Sequence, residues 1–204
     1  MTTTRLSSAQ RRAAIIESAI SLFAERGFRG TTTRELAAHV GVSEPVLYQH
    51  FNTKRDLYHA ILEQLATADD QGIPKLLPDA ADTRDDRLIL TELAKNIVDW
   101  HVNHPNYVRL LMIGALEGNE FNEIFHERYA RSFTDQLQKY FAVRIKLGIF
   151  RLLDPAMAAR TFMWMLAHYS LELTLFHKGP CGNPLPQAQA VDGIIDIYLK
   201  GIQA

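Results

Sequence analysis

Side chains able to contact nucleic acid crowd into one short stretch, residues 32–54. Arg34 can donate two parallel hydrogen bonds to guanine, and Glu44 can accept from cytosine N4. Pro45 and Val46 offer apolar contact to a thymine methyl. Thr33, Tyr48, His50 and Lys54 suit phosphate oxygens, contacts that set register rather than read sequence. Thr32, Ser43 and Gln49 complete the candidate DNA-facing set. Arg34 reads equally as a solvated first-turn arginine beside Glu35, and His50, next to Phe51, as half-covered packing.

The stretch that must position these groups, TTTRELAAHVGVSEPVLYQHFNT at 31–53, has the pattern of two short helices and a tight turn. Thr32 followed three residues later by Glu35 is a capping box. Leu36, Ala37 and Val40 recur at helical spacing. Gly41 is the residue that most cheaply takes the left-handed conformation ending a helix. Ser43 or Glu44 caps the second helix, with Pro45 in its first turn, where a missing N–H costs nothing. Leu47 and Phe51 point inward, four apart, leaving Glu44, Val46, Tyr48, Gln49 and His50 outside. This pattern predicts a helix-turn-helix whose second helix enters the DNA major groove.

At these residues the chain resembles the N-terminal domain of the TetR family of bacterial transcriptional repressors. The resemblance rests on Gly27, Thr32-Thr33, Arg34, Leu36-Ala37, Gly41-Val42-Ser43, Leu47-Tyr48, His50-Phe51, Lys54 and Leu57, and covers Ser8 to Leu65. Val40 departs from it, where a small Ala is usual; Pro45 is a common variant of Gly. The resemblance implies that the matching residues face DNA. It also implies a ligand-responsive repressor that binds a palindromic operator as a homodimer, its subunits paired through their last helices.

The remaining segments read as helices throughout. Ser7 and Gln10 box a first helix, Ser8–Arg26, with Ile15, Ala19, Leu22 and Phe23 as its stripe. Thr53 and Asp56 box a fourth, lined by Leu57, Ile61, Leu62 and Leu65. Periodicity fails over Gln71–Arg84, rich in turn residues. Helices resume at about 85–103, 105–115, 119–147, 155–176 and 187–202. The expectation is all-α with about nine helices: residues 1–54 hold the arm and three-helix DNA-binding domain, and residues 55–204 an effector-binding and dimerisation body. Arg5 in the N-terminal arm could enter a minor groove, although a solvated tail is the simpler reading.

Composition narrows the classes. Net charge is −1, but residues 1–55 carry eight basic against four acidic groups, a net of +4, and the rest carries 14 against 19, a net of −5. A basic head on an acidic body suits a DNA reader, though ordinary scatter could also produce it. One cysteine, Cys181, excludes an internal disulfide framework and fits a reducing cytoplasm. Neither an apolar leader nor an 18-residue apolar run is present, so secretion and a membrane partner are not expected.

In the body, Glu123 and His126 make half of a carboxylate–histidine iron motif whose other half is missing, and His101 and His104 have no partner pair, so no metal or cofactor is expected. Trp100, Tyr107, Met112, Phe125 and Trp164, with His101 or His168 as polar anchor, are candidate lining for a small apolar or aromatic effector; as single residues they read more simply as core. Val191, Ile194, Ile195, Tyr198 and Ile202 form one face of the last helix. With Phe162, Leu166, Tyr169 and Leu173 they are the candidate dimer interface, or else pack within their own subunit. The competing class is a small-molecule carrier or enzyme built on the helical body; no catalytic motif supports an enzyme.

Overall fold

The computed structural model describes residues 7–69, 85–118, 127, 131–176, 182 and 185–204, without side chains for 65–69. The expectations for Arg5, segment 71–84, Leu65, Glu123, Phe125, His126 and Cys181 lie outside the described side chains. Among the described residues stand nine α-helices and no strand: α1 Ser8–Arg26, α2 Thr33–Val40, α3 Glu44–His50, α4 Lys54–Asp69, α5 Asp86–Asn103, α6 Pro105–Glu117, α7 Arg131–Lys146, α8 Pro155–Leu171 and α9 Gln187–Ile202. The all-α expectation therefore holds. A π-helical turn, Glu172–Phe176, extends α8.

The helices begin where side chains satisfy the free N–H groups of a first turn. Ser7 accepts from Gln10 N–H while Gln10 accepts from Ser7 N–H, and Thr53 with Asp56 repeats the device for α4. Asp85 caps α5 through Leu88 N–H, and Asp154 caps α8 through Met157 N–H ahead of Pro155.

Two compact units result. One gathers α1–α4 with α6. Its core is the predicted α1 stripe, with Ile15, Ala19 and Phe23 fully buried, closed by Leu36, Leu47, Phe51, Leu57 and Ile61. The other comprises α5, α7, α8 and α9. There Phe162, Leu166, Tyr169, Val191, Ile195, Tyr198 and Ile202 are all buried in the subunit's own core, and Leu173 and Ile194 lie partly buried against it. The stripe read as a dimer face is thus an inner face. α5 and α7 also present large apolar side chains, and the most apolar sides of α8 and α9 close on them. Tyr198 O–H donates to the Ala158 carbonyl at 2.8 Å, fixing α9 on α8.

This second core encloses one ion pair. Arg144 of α7 and Asp86 at the start of α5 are in contact, with side chains only 4% and 10% exposed, and Tyr140 O–H donates to the same carboxylate. Burial, together with that bond, pushes the Tyr140 phenol well above its usual range. Removing one partner strands a buried charge. Asp86→Ala is therefore expected to cost about 3–5 kcal/mol of unfolding free energy, read as a lower urea midpoint at unchanged slope. A loss under 1 kcal/mol would mean that the pair is solvated in solution.

Candidate nucleic-acid interface

The turn between α2 and α3 has the backbone its sequence predicts. Thr32 accepts from Glu35 N–H, and Glu35 returns a carboxylate oxygen to Thr32 N–H at 2.8 Å. These bonds from Thr32 hold the Glu35 carboxyl below the usual range. Gly41 takes φ 77, ψ 30, and Val42 N–H reaches back to the Ala37 carbonyl at 2.9 Å. The chain then enters α3 at Ser43, whose hydroxyl makes no capping bond, with Pro45 in the first turn. Leu47 and Phe51 are buried beneath, 3% and 4% exposed. The Arg12 guanidinium lies 4.8 Å from the Phe51 ring centre and covers it, a contact with no local sequence signal.

Of the candidate contacts, Thr32, Arg34, Ser43, Pro45, Tyr48 and Gln49 are exposed, while Thr33, Glu44, Val46, His50 and Lys54 are half-buried. Glu35 pairs with Arg26 at 3.2 Å, not with Arg34. Thr33 hydroxyl donates to Glu44 Oε1 at 2.9 Å and accepts from Tyr48 O–H at 3.3 Å, tying the starts of α2 and α3 together.

Lys54 turns inward. Its ammonium donates to the carbonyls of Phe28 and Thr31, at 2.6 and 2.8 Å, and sits 4.0 Å from the centre of the Phe28 ring. Burial lowers its pKa, and the charge of Glu117 opposes that shift. Glu117, the last residue of α6, accepts from the N–H groups of Phe28 and Arg29, both at 3.2 Å. Gly27 has φ 76, and a Cβ there would stand 2.3 Å from a Glu117 carboxylate oxygen. Glu117 lies about 90 residues away in sequence, so no local pattern could have found it.

This arrangement of helices coincides with the match to known proteins. The model of bacterial regulatory proteins of the tetR family matches residues 15–61, and that of the AefR-like transcriptional repressor C-terminal domain matches residues 89–201. The chain belongs to the TetR family. It is 36% identical over 80 residues to the transcriptional activator FasR of Mycolicibacterium smegmatis, covering 39% of this chain and 36% of FasR. It is 30% identical over 97 residues to the transcriptional repressor NicS of Pseudomonas putida, covering 48% of this chain and 44% of NicS. The match thus spans less than half the length of either relative. The fold is that of AibR, solved with isovaleryl coenzyme A and operator DNA: TM-score 0.69, 22% identity, covering 92% of this chain and 97% of AibR.

The TetR-family body places the other candidates apart. Trp164 is 60% exposed on α8, and His168, one turn on, is mostly exposed and 3.6 Å from Glu172. Trp100 is half-buried, stacked on His104 at 5.0 Å and edge-on to His101 at 5.3 Å. His101 Nδ1 donates to the Ile97 carbonyl at 2.6 Å, and burial lowers its pKa. Tyr107, buried, and Met112, 40% exposed, belong to the unit of α1–α4. Burial and the nearby Glu17 charge push the Tyr107 phenol up to about 12. A groove of about 350 Å³ along α7 and α8 is lined by Glu127, Arg131, Asp135, Gln138 and Arg160, a polar set unlike the expected apolar lining. No helix among the described residues is long and apolar enough to cross a membrane.

Proposed function

We propose that this protein is a ligand-responsive transcriptional repressor, acting in the cytoplasm on a palindromic operator as a homodimer, with no catalytic role. The supporting observation is the α2–α3 unit itself: a left-handed turn at Gly41 over a buried Leu47–Phe51 pair leaves Pro45, Tyr48 and Gln49 on the outer side. The C-terminal match to an AefR-like repressor domain favours repression over activation. By role, residues 1–54 read DNA and residues 55–204 bind effector and partner. The division by packing differs, since α4 and α6 lie with the head.

Arg34 reads a base, while Tyr48, His50 and the remaining N–H of Lys54 meet phosphates; Thr33, expected there too, gives its hydroxyl proton to Glu44 instead. A gel shift on the promoter beside the protein's own gene tests this. Arg34→Ala should weaken operator binding by about 1–3 kcal/mol and relax preference at one base pair. Lys54→Ala should lower affinity evenly across sequences and flatten the salt dependence by about one ion or less. Operator binding unchanged in both variants would discard the assignment.

One helix-turn-helix reads too few base pairs for useful specificity, so a second copy is required. With the inner stripe occupied, the outer residues of the neighbouring helices α8 and α9 supply the face. Met157, Trp164 and Ile197 are 52%, 60% and 67% exposed, and Gly193 and Gly201 flank Ile197 at spacings of four, where their lack of side chains admits a close neighbour. Ile197→Glu should give a folded monomer in sedimentation, whereas Ile195→Glu should unfold the body. A dimer that survives Ile197→Glu would place the interface elsewhere.

The effector is a small, mainly apolar or aromatic molecule bound beside Trp100. His101, whose Nδ1–H is engaged by Ile97, keeps Nε2 as an acceptor for a ligand O–H or N–H. Trp164 and His168, being outward, leave that lining. In Trp164→Phe, where Trp100 is the sole tryptophan, an effector that releases operator should quench emission, with a coupling of about 1–3 kcal/mol. Operator release without any change in Trp100 emission would refute the site.

A further inference from the structure

A carboxylate in the first turn of a helix suits the helix dipole, but in a recognition helix it also brings negative charge towards DNA. Glu44 is half-buried there, and it does not stand alone. A carboxylate oxygen only accepts hydrogen bonds, so the Thr33 hydroxyl, 2.9 Å away, must donate its single proton to Glu44. Thr33 Oγ1 can then only accept from Tyr48 O–H, at 3.3 Å. The three side chains form a one-way relay from Tyr48 through Thr33 to Glu44. Both hydroxyl protons point inward along it. What Thr33 and Tyr48 offer outward is lone pairs, which repel phosphate oxygens, although Tyr48 is 46% exposed and otherwise well placed to donate.

Resting on the reading of α2–α3 as the DNA-binding unit, we propose that Glu44 is a specificity-determining residue that works by withholding. It keeps the Thr33 and Tyr48 protons from phosphate and adds its own charge to the repulsion, so that loose encounters with arbitrary duplex are disfavoured. On a correctly seated operator the base contacts offset this cost, and the Tyr48 hydrogen bond switches from Thr33 to phosphate. Off target nothing offsets it. Glu44 thus acts on the ratio of operator to non-specific binding, as repulsive elements do in other selective interfaces.

Two neutral variants of the full-length protein separate charge from relay. Glu44→Gln removes the charge but keeps a carbonyl oxygen for Thr33; Glu44→Ala removes both. Affinity is measured by fluorescence anisotropy on the protein's own promoter duplex and on a scrambled duplex of equal length, with far-UV helicity checked for each variant. Glu44→Gln should raise scrambled-duplex affinity several-fold, and Glu44→Ala should raise it further. Promoter affinity should change less, so that the specificity ratio falls. In a Thr33→Val background, with no hydroxyl proton left to release, the two variants should become equal. A loss confined to one operator base pair would make Glu44 a base reader, and an even loss on every duplex would make it a brace; either result overturns the proposal. Equal gains from both variants with Thr33 present would overturn the relay. Wild-type protein that fails to prefer the promoter duplex would instead refute the DNA-binding reading, before any variant is made.

Discussion

The loop at residues 27–31 has more backbone polar groups than α1 or α2 can satisfy, and meeting that demand shapes the head. Thr31 hydroxyl takes the Gly27 carbonyl, Lys54 takes the carbonyls of Phe28 and Thr31, and Glu117 takes the N–H groups of Phe28 and Arg29. Buried or half-buried backbone groups left unpaired would cost about 1–3 kcal/mol each. The contacts come from three separate elements: the loop itself, the first residue of α4 and the last residue of α6. The position of α2, and through it α3, therefore depends on where α4 and α6 hold this loop. Gly27 is what allows the approach, since any side chain there would meet the Glu117 carboxylate.

In the proposed repressor that dependence would give effector binding a physical route to DNA. A ligand shifts an equilibrium only if it binds two conformations unequally. Any body rearrangement that displaces α6 must either carry the 27–31 loop with Glu117 or break two hydrogen bonds to it. The position of Lys54 near the recognition helix suits phosphate, yet two of its three N–H groups are engaged by the loop. Both roles can be held by one ammonium, with one donor left over.

What the sequence made legible was whatever is local. Capping boxes at Ser7, Thr32 and Thr53, the left-handed glycine at Gly41 and the α1 stripe depend on residues three to eight apart, and each stands in the structure where its spacing predicted. The Glu117 and Arg12 contacts were invisible because they join residues tens of positions apart and obey no period. The last two helices were legible only in part. The α9 stripe lies opposite exposed Asp192 and Lys200, so its face was legible, but not whether its own subunit or a second copy covers it. Periodicity locates a face but does not say what covers it.

The same ambiguity explains the dispersal of the aromatic candidates. Trp, Met and Tyr are large enough to close a core, line a cavity or meet a partner, and composition does not distinguish the three. The structure sorts them by exposure: Tyr107 is interior, Trp100 is intermediate and held between two histidines, and Trp164 stands mostly in solvent. A tryptophan 60% exposed on α8 leaves most of its apolar surface in water. Its burial would contribute about 25 cal/mol per Å² covered. In the proposed homodimer that gain would favour assembly of the body, and an operator read by two heads would favour the assembled form.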